Sequence, residues 1–257
     1  MSDVDAIVLD LDGGAMLEGC LASIARQTLQ PNRVIVFDNG SRTPTPNAAA
    51  RSEKNLGFTG GVNAAVQLAT SPFVALINND VILDDDWLAA VRGAIDDKTA
   101  AVQTIIRRDA NTIDGAGIDI SDGTFRQLGH GAPLSTPQPD PWGVSATATL
   151  YRRELLHFDE RFFAYYEDVE LCARLHEAGW RTRVIPAAKA THLGSQTAAS
   201  VDAKYLRTRN RYYVARLHRG VGRVGALLWE DVRLLAKGGC SLRGMIDGLT
   251  RTMKDER

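Results

Sequence analysis

The feature that most constrains this sequence is the alternation of short apolar runs with stretches of helical periodicity over its first 106 residues. The apolar runs predict buried strands at Ala6–Leu11, Arg33–Phe37, Phe73–Ile77 and Ala100–Ile106. Between them, the spacing of apolar residues predicts helices at Leu17–Thr28, Gly60–Thr70 and Asp84–Ile95. Strands that alternate with helices are typical of βαβ units, so we expect an α/β fold with a mostly parallel sheet.

The pattern changes after residue 106. Residues 109–141 are rich in Gly, Asp, Thr and Pro, which predicts a hairpin within an irregular segment. Beyond it, we predict a helix at Glu167–Ala178, ended by Gly179, and strands at Trp142–Tyr151, Thr182–Ile185 and Ala190–His192. From Val201 onward the sequence predicts helix.

The composition is that of a globular protein, with 257 residues, 44% hydrophobic and 24% charged, which excludes a disordered or collagen-like chain. A net charge of −1 argues against a nucleic-acid partner. Three widely separated cysteines form neither a disulfide framework nor a CxxC motif, which favours a reducing compartment. Because no apolar run approaches the length of a membrane span, and the N-terminus is acidic, we expect a cytoplasmic protein.

Positive charge is concentrated in the last part of the chain, where residues 203–257 hold 13 Lys and Arg against 5 Asp and Glu. Within residues 220–257, apolar residues recur at helical spacing, with basic residues among them. Such a helix either packs on the domain or across a homodimer, or lies on the inner face of an anionic membrane. Packing is the commoner role, and peripheral membrane contact stays open as the alternative.

Polar side chains follow three of the predicted strands, where each strand ends. Asp10 and Asp12 close the first strand, Asp38 closes the second, and Asn78–Asp80 follows the third. In open parallel sheets, ligands bind beyond the carboxyl ends of the strands. One such cluster is typical of an ordinary turn, but three on neighbouring strands favour a binding site.

Asp80 and His192 are the candidate metal ligands. Mg²⁺ and Mn²⁺ prefer carboxylate oxygens and commonly share the phosphates of a substrate, which one carboxylate beside a diphosphate would allow. His192 ends a predicted strand, and a histidine ligand would favour Mn²⁺. A lone histidine is also a common structural residue, which leaves its role open.

Two further patterns have both a functional and an ordinary interpretation. Glu167 and Asp168 open a predicted helix, where one carboxylate can face a site as a general base while the other supports the structure. Residues Gly57–Gly61 precede a predicted helix, so their backbone amides could approach a phosphate. Acidic first turns and glycine-rich turns also occur without any function.

Five motifs give these residues a common context. In order they are LEGCLASIARQTLQPNRVIVFDNGS at 17–41, KNLGFTGGVNAA at 54–65, INNDVILDDDWL at 77–88, DERFFAYYEDVELCARLHEAGWR at 159–181 and THLG at 191–194. Together they resemble the inverting glycosyltransferases of family 2, in the bacterial branch that includes rhamnosyltransferases. The resemblance covers residues 6–219.

The resemblance implies the GT-A fold: a Rossmann-like, mostly parallel central sheet flanked by helices, with a small antiparallel portion on the acceptor side. It implies a transferase domain at 1–219, in which residues 1–106 bind the nucleotide sugar and residues 107–219 supply the acceptor and catalytic half. A basic amphipathic helical tail at 220–257 would follow.

The resemblance also implies roles for individual residues on the donor side. Asp38 matches an acid that contacts the nucleotide base, and Asn55 and Gly57 match a stretch along the nucleotide. Asp80 matches the metal-holding acid of a DxD-type motif, and His192 matches a late histidine that joins the metal in some members. The remaining candidates for the nucleotide-sugar site are Asp10, Asp12 and Asn79.

On the acceptor side, Asp168 matches the general base of the family, and Glu167 is its neighbour in the catalytic pair. Trp142 and Ser145 lie in a segment that matches the acceptor side. The implied reaction moves a hexose from a nucleoside-diphosphate sugar to an acceptor hydroxyl, with inversion and with Mn²⁺ or Mg²⁺. The acceptor would be a glycan, a lipid-linked molecule or a small molecule.

Two alternatives to this reaction stay open. The run Ile7–Gly13 is similar to the first motif of haloacid dehalogenase-like phosphatases, in which Asp10 would be the nucleophile and Asp12 the acid. No lysine follows at the place that this chemistry requires. A non-catalytic nucleotide-sugar-binding protein is the other alternative, because fold alone does not establish chemistry.

Overall fold

A mixed β-sheet forms the centre of the molecule in the computed structural model, which describes residues 2–194, 202–218, 220–235 and 237–251. Nine strands of the described residues form this sheet: β1 (Val4–Asp10), β2 (Arg33–Asp38), β3 (Ala50–Arg51), β4 (Phe73–Asn78), β5 (Val81–Leu83), β6 (Thr99–Arg107), β7 (Ile113–Gly115), β10 (Ala148–Arg152) and β11 (Arg181–His192). A separate hairpin pairs β8 (Ile118–Asp119) with β9 (Arg126–Gln127).

The first half of the sheet is parallel, as the alternation of strands and helices predicted. Strand β1 pairs in parallel with β2 on one side and with β4 on the other, and β3 extends this half beyond β2. The register sets Asp10 beside Asp38 and Leu9 beside Asn78. The carboxyl ends of the three strands therefore meet at one edge of the sheet.

The second half contains the antiparallel pairs. Strand β10 lies antiparallel between β4 and β6, while β11 runs parallel to β6 and antiparallel to β5. The sequence predicted two short strands where the structure has the single strand β11. This strand carries a register shift between Ile185 and Lys189, and Pro186, which cannot donate a ladder hydrogen bond, lies within it.

Helices cover both faces of the sheet. Helices α1 (Ala15–Ala25) and α3 (Trp87–Gly93) pack on one face, and α2 (Gly57–Val66) and α4 (Glu167–Glu177) pack on the other. The prediction that Gly57–Gly61 forms a loop before its helix was wrong, because these residues form the first turns of α2. A Cβ atom on Gly61 would lie 2.6 Å from Leu9, so this glycine permits close packing of α2 on the sheet.

Three helices follow the sheet: α5 (Ala203–Leu217), α6 (Val224–Leu235) and α7 (Leu242–Thr250). Both α6 and α7 pack against α5, through an apolar cluster of Tyr212, Leu227, Cys240 and Met245. In residues 220–235 and 237–251, the predicted tail therefore packs on the rest of the domain through its inner side. None of the helices in the described ranges is both long and apolar enough to cross a membrane.

Candidate active site

A cavity of about 590 Å³ opens at the edge where β1, β2 and β4 end. One wall comes from these strand ends and the start of α2, and it includes Leu9, Asn39, Asn55, Gly57 and Asn78–Asp80. The opposite wall comes from residues 145–147 and 163–169. The outer rim is formed by Phe125–Gln127 of the hairpin, His130, His192 and Arg207 of α5.

Asp80 and His192 meet on one side of the cavity, together with Asp114. The Nε2 atom of His192 lies 3.1 Å from Oδ2 of Asp80, and its Nδ1 atom lies 2.8 Å from Oδ2 of Asp114. Although burial would lower the pKa of His192, its hydrogen bonds to Asp114 and Asp80 raise it to about 10. Asp114 therefore fixes the imidazole so that Nε2 faces Asp80.

The donor atoms at this point fit a divalent cation that is shared with a ligand. The Oδ1 atom of Asp80 is buried and has no hydrogen-bond partner, which leaves it free to bind a cation. No group of three or more His, Cys, Asp or Glu side chains in the described residues is arranged to hold a metal by itself. A cation at Asp80 and His192 would therefore take its remaining ligands from phosphate oxygens and water.

Two asparagines shape the wall at the strand ends, which we call the donor wall after the role that the sequence predicts for it. The amide of Asn39 donates to the carbonyl of Gly57 at 2.9 Å and to Oδ1 of Asn55 at 3.2 Å, and its own oxygen accepts from the backbone amide of Leu56. Oδ1 of Asn55 also accepts from the Gly57 amide at 2.8 Å. These bonds tie the end of β2 to the beginning of α2 and place Asn55 and Gly57 on the cavity surface.

The aromatic segment before α4 has an unusual backbone. Phe163, Tyr165 and Tyr166 have φ angles of 63°, 70° and 68°, in the left-handed region that side chains other than glycine rarely adopt. Such conformations cost free energy and persist only where the surrounding structure holds them. This segment ends directly at Glu167 and Asp168.

Asn210 of α5 holds this segment in place. Its amide nitrogen lies 3.0, 2.8 and 2.7 Å from the carbonyl oxygens of Phe162, Ala164 and Tyr165. Since an amide group has two N–H donors, three carbonyls share them. Asn210 is fully buried, and with Arg209, which donates to the carbonyl of Phe162, it is a contact through which α5 positions the segment before α4.

Glu167 and Asp168 occupy the base of the cavity, close to the segment 145–147. Burial raises the pKa of Asp168 to about 6, although the backbone amides of Val169 and Ala146 favour its ionised form. Burial and the charge of Asp168 raise the pKa of Glu167 to about 8. The Oε2 atom of Glu167 is buried without a hydrogen-bond partner. Of the two, Asp168 is the group that is ionised near neutral pH.

Three acidic candidates from the sequence lie outside the cavity lining. Asp10 is buried and accepts from Asn79, Thr45 and the amide of Gly13. Asp38 is also buried and is bound by the amides of Ser41 and Thr45 and by Arg51. Asp12 pairs with Arg42 on the surface. All three carboxylates are occupied by neighbouring protein groups.

This arrangement does not favour the phosphatase alternative. A nucleophilic carboxylate must be free to reach a phosphorus atom, whereas both oxygens of Asp10 accept hydrogen bonds inside the protein. Asp12 faces Arg42 and lies apart from the cavity lining.

The two acceptor-side candidates lie in different environments. Ser145 lines the cavity, and its backbone amide donates to Oε1 of Gln103 at 2.7 Å. Trp142 lies behind the cavity wall, where its ring meets that of His176 edge-on at 4.9 Å. Trp142 thus supports the wall from behind.

Sequence reasoning placed Asn39 in a strand-end cluster but chose Asp38 from it, and among the charged residues of the lining it did not select Asp114, Arg126 or Arg207. Asn39 stands next to Asp38, so the strand-end pattern found the place and selected the neighbouring residue. Asp114 and Arg126 lie in the irregular segment 109–141, which has little periodicity. Arg207 is one of several arginines on α5, and nothing in the sequence distinguishes it from the others.

Comparison with solved structures shows the class of fold. The chain is similar to a mannosyltransferase from Pyrobaculum calidifontis in complex with GDP-Man and Mn²⁺, with a TM-score of 0.62, 17% identity, and coverage of 94% of this chain and 77% of that one. It is also similar to Staphylococcus aureus TarS in complex with UDP-GlcNAc, with a TM-score of 0.58, 17% identity, and coverage of 96% and 79%. The fold is that of the GT-A glycosyltransferases.

The sequence comparison then gives the family. Residues 12–158 match Glycosyl transferase family 2, and the chain belongs to this family. It is 29% identical to the N-acetylglucosaminyl-diphospho-decaprenol L-rhamnosyltransferase of Mycobacterium tuberculosis, over 86% of this chain and 87% of that protein. A pre-mycofactocin glycosyltransferase of the same organism is 27% identical, over 64% of this chain and 38% of that protein. These findings confirm the resemblance to the rhamnosyltransferase-like branch.

Gly57 offers a test of how the donor wall meets the aromatic segment. A Cβ atom at this position would lie 2.5 Å from the carbonyl oxygen of Phe163, and the φ angle of 74° is unfavourable for alanine. We expect Gly57→Ala to weaken binding of nucleoside diphosphates by at least about tenfold, measured by calorimetry, because either wall must move.

Gly179→Ala is the matched control. Gly179 has a φ angle of 83°, but nothing lies within 4 Å of its added Cβ atom. This variant carries the same backbone penalty of about 1 kcal/mol without the collision. Equal nucleotide binding by the two variants would show that the contact between Gly57 and Phe163 does not shape the site.

Proposed function

We propose that this glycosyltransferase moves a hexose from a nucleoside-diphosphate sugar to an acceptor hydroxyl with inversion at the anomeric carbon. The supporting observation is that one cavity contains a free carboxylate oxygen on Asp80, a carboxylate of raised pKa on Asp168, and the donor wall of Asn39, Asn55 and Gly57. The relatives and the family match support sugar transfer from an activated donor.

The donor would lie along the strand ends, in the half formed by residues 1–106. Gly57, at the beginning of α2, brings the backbone close to the ligand, and Asn55 offers its side chain on the same surface. Asp10 and Asp38 support this wall from inside, since each one holds loop residues that follow the strands. In this proposal Asp12 does not contact the donor, and it pairs with Arg42 instead.

Asp80 and His192 would hold Mn²⁺ or Mg²⁺ against the diphosphate, with Asp114 orienting the histidine. A bound cation of this kind neutralises the charge that develops on a leaving diphosphate. His192 must lose its extra proton to become a ligand, so cation binding at this place depends on pH. Asn79 would keep the neighbouring backbone in place through its bond of 2.7 Å to Asp10.

Asp168 would act on the acceptor from the other wall. The acceptor oxygen forms a bond to the anomeric carbon while the bond from that carbon to the diphosphate oxygen breaks, and the hydroxyl proton passes to the carboxylate of Asp168. Attack on the face opposite to the leaving group inverts the configuration. Glu167, whose pKa lies higher, would stay protonated near neutral pH and leave one negative charge at this point.

The arginines on the outer rim of the cavity favour an acceptor that carries phosphate. Arg207 stacks on the Tyr165 ring at 4.5 Å and forms no ion pair with any residue of the described ranges. Arg126 lies on the same rim, paired with Asp122. Because the mycobacterial relative is named for a diphospho-decaprenol acceptor, we propose a lipid-linked acceptor ahead of a free glycan or a small molecule.

The Asp168→Asn variant tests the proposed base. The amide keeps the size of the side chain but cannot take up the proton, so we expect the transfer rate to fall by about 10²- to 10⁴-fold while the affinity for the nucleoside diphosphate stays close to the original. Turnover and calorimetric binding are measured on the same preparation. Asp97→Asn, at an exposed site, is the control. Near-normal turnover by Asp168→Asn would show that another group is the base.

The pH dependence of kcat/KM gives an independent test. Asp168 must be ionised to accept a proton, and its pKa is about 6, so at saturating Mn²⁺, which holds His192 deprotonated, activity is expected to rise with pH through about 6 and level off towards neutral pH. The rise should persist in Glu167→Gln. If Glu167→Gln abolishes the rise, or if it occurs near the ordinary pKa of aspartate, Asp168 does not act as proposed.

A calorimetric titration with a panel of nucleoside diphosphates, with and without Mn²⁺, tests the donor site. We expect one of them to bind in a metal-dependent way, and Asp80→Ala to weaken that binding, because Asp80 contributes the free oxygen. Asp97→Ala again serves as the control. Nucleotide binding without turnover on any acceptor would favour the non-catalytic alternative. Nucleotide binding whose affinity changes neither on removal of Mn²⁺ nor in Asp80→Ala would contradict the proposed cation site.

A further inference from the structure

The outer surfaces of α6 and α7 are apolar and positively charged. On α6, the side chains of Trp229 and Val232 are 64% and 59% exposed. On α7, Leu242 and Ile246 are 58% and 52% exposed. Each pair is spaced three or four residues apart and so shares one face of its helix. We refer to these four residues as the outer apolar face.

Positive side chains accompany the outer apolar face. The guanidinium of Arg233 lies 5.3 Å from the centre of the Trp229 ring. Arg243, next to Leu242 in the sequence, has 76% of its side chain exposed, although its guanidinium also lies 3.7 Å from Asp247. Lys237 follows α6 and is exposed as well. Each apolar pair therefore has a basic residue directly beside it.

The acidic residues of the same two helices turn inward instead. Asp231 is fully buried and binds Arg211 and the hydroxyl of Tyr212. Glu230 pairs with Arg211 at 2.8 Å, and Asp247 accepts from the hydroxyl of Tyr205 at 2.7 Å. The acids described on α6 and α7 are thus bound by side chains of the same chain, and Arg233 and Lys237 stand beside the outer apolar face without an acidic partner on these two helices.

From this separation we infer that α6 and α7 dock on the surface of an anionic phospholipid bilayer. Tryptophan and aliphatic side chains would enter the region of the headgroups, and the arginines would remain at the phosphates. A second copy of the chain fits less well, because a twofold contact brings the same surface of two chains together, and the acids described on α6 and α7 are already bound within their own chain. Charge complementarity thus favours the bilayer as the occupant.

Docking in this way would also serve the cavity, and in this respect the inference rests on the proposed function. Gly222 and Arg223, just before α6, contact Phe125 and Gly123 of the hairpin whose residues line the outer rim. Helix α7 packs on α5, which carries Arg207. The bilayer would therefore lie beside the rim at which a lipid-linked acceptor enters.

Co-sedimentation of the full chain with vesicles tests the inference. We expect binding to vesicles of phosphatidylcholine with phosphatidylglycerol, weaker binding at high salt, and little binding to phosphatidylcholine alone. Trp229→Ser with Ile246→Ser, and separately Arg233→Glu with Lys237→Glu, should each reduce binding by about tenfold or more. Val34→Ser, which removes an apolar side chain that is 45% exposed on β2, should bind as the original does.

A second measurement reports insertion directly. Phospholipids brominated near the upper end of the acyl chain quench tryptophan that has entered the bilayer surface, so Trp229→Phe should keep vesicle binding and lose most of the quenching. Undiminished quenching in Trp229→Phe, or equal binding by all variants, would overturn the inference. A dimer in light scattering that Trp229→Ser disrupts, with no vesicle binding, would assign the face to a second copy. Transfer to a water-soluble acceptor is assayed in parallel, so failure of docking and failure of the proposed reaction are distinguishable.

Discussion

The contact between the Asn210 amide and three backbone carbonyls is the interaction on which the candidate site depends. The amide binds the carbonyls of Phe162, Ala164 and Tyr165. In this segment Phe163, Tyr165 and Tyr166 adopt left-handed φ angles, which residues other than glycine disfavour. The free energy that this conformation costs is offset by buried hydrogen bonds, which are strongest where water is absent. The position of Asp168 is thus determined by a helix from a later part of the chain.

Carboxylates of the same chemical type have opposite roles in this molecule, and their hydrogen bonds decide which role each one has. Both oxygens of Asp38 are bound by backbone amides and Arg51, so its pKa lies below the usual range despite burial. Asp168 has fewer donors and its pKa is raised. Asp80 keeps one oxygen free. A carboxylate that is fully bound supports the structure, whereas one with unused capacity can meet a ligand.

The parts of the fold that could be predicted are those that depend on local pattern. Buried parallel strands such as β1 and β4 produce continuous apolar runs, and polar residues at their ends mark the edge of the sheet where the cavity opens. The partnership of Asp114 with His192 spans 78 positions and leaves no periodic signal. The choice between Asp38 and Asn39 likewise depends on which way a side chain turns at the end of β2, which its neighbours in space decide.

The dependence of the catalytic segment on α5 has a consequence for synthesis of the protein on the ribosome. All residues of the parallel half of the sheet have been synthesised once the first 80 or so residues are complete, because β1, β2 and β4 lie within them. The segment before α4 can be fixed only after Asn210 has left the exit tunnel. On the ribosome, the residues at the strand ends therefore emerge well before the residue that positions Asp168, so the two walls of the cavity cannot be completed at the same time.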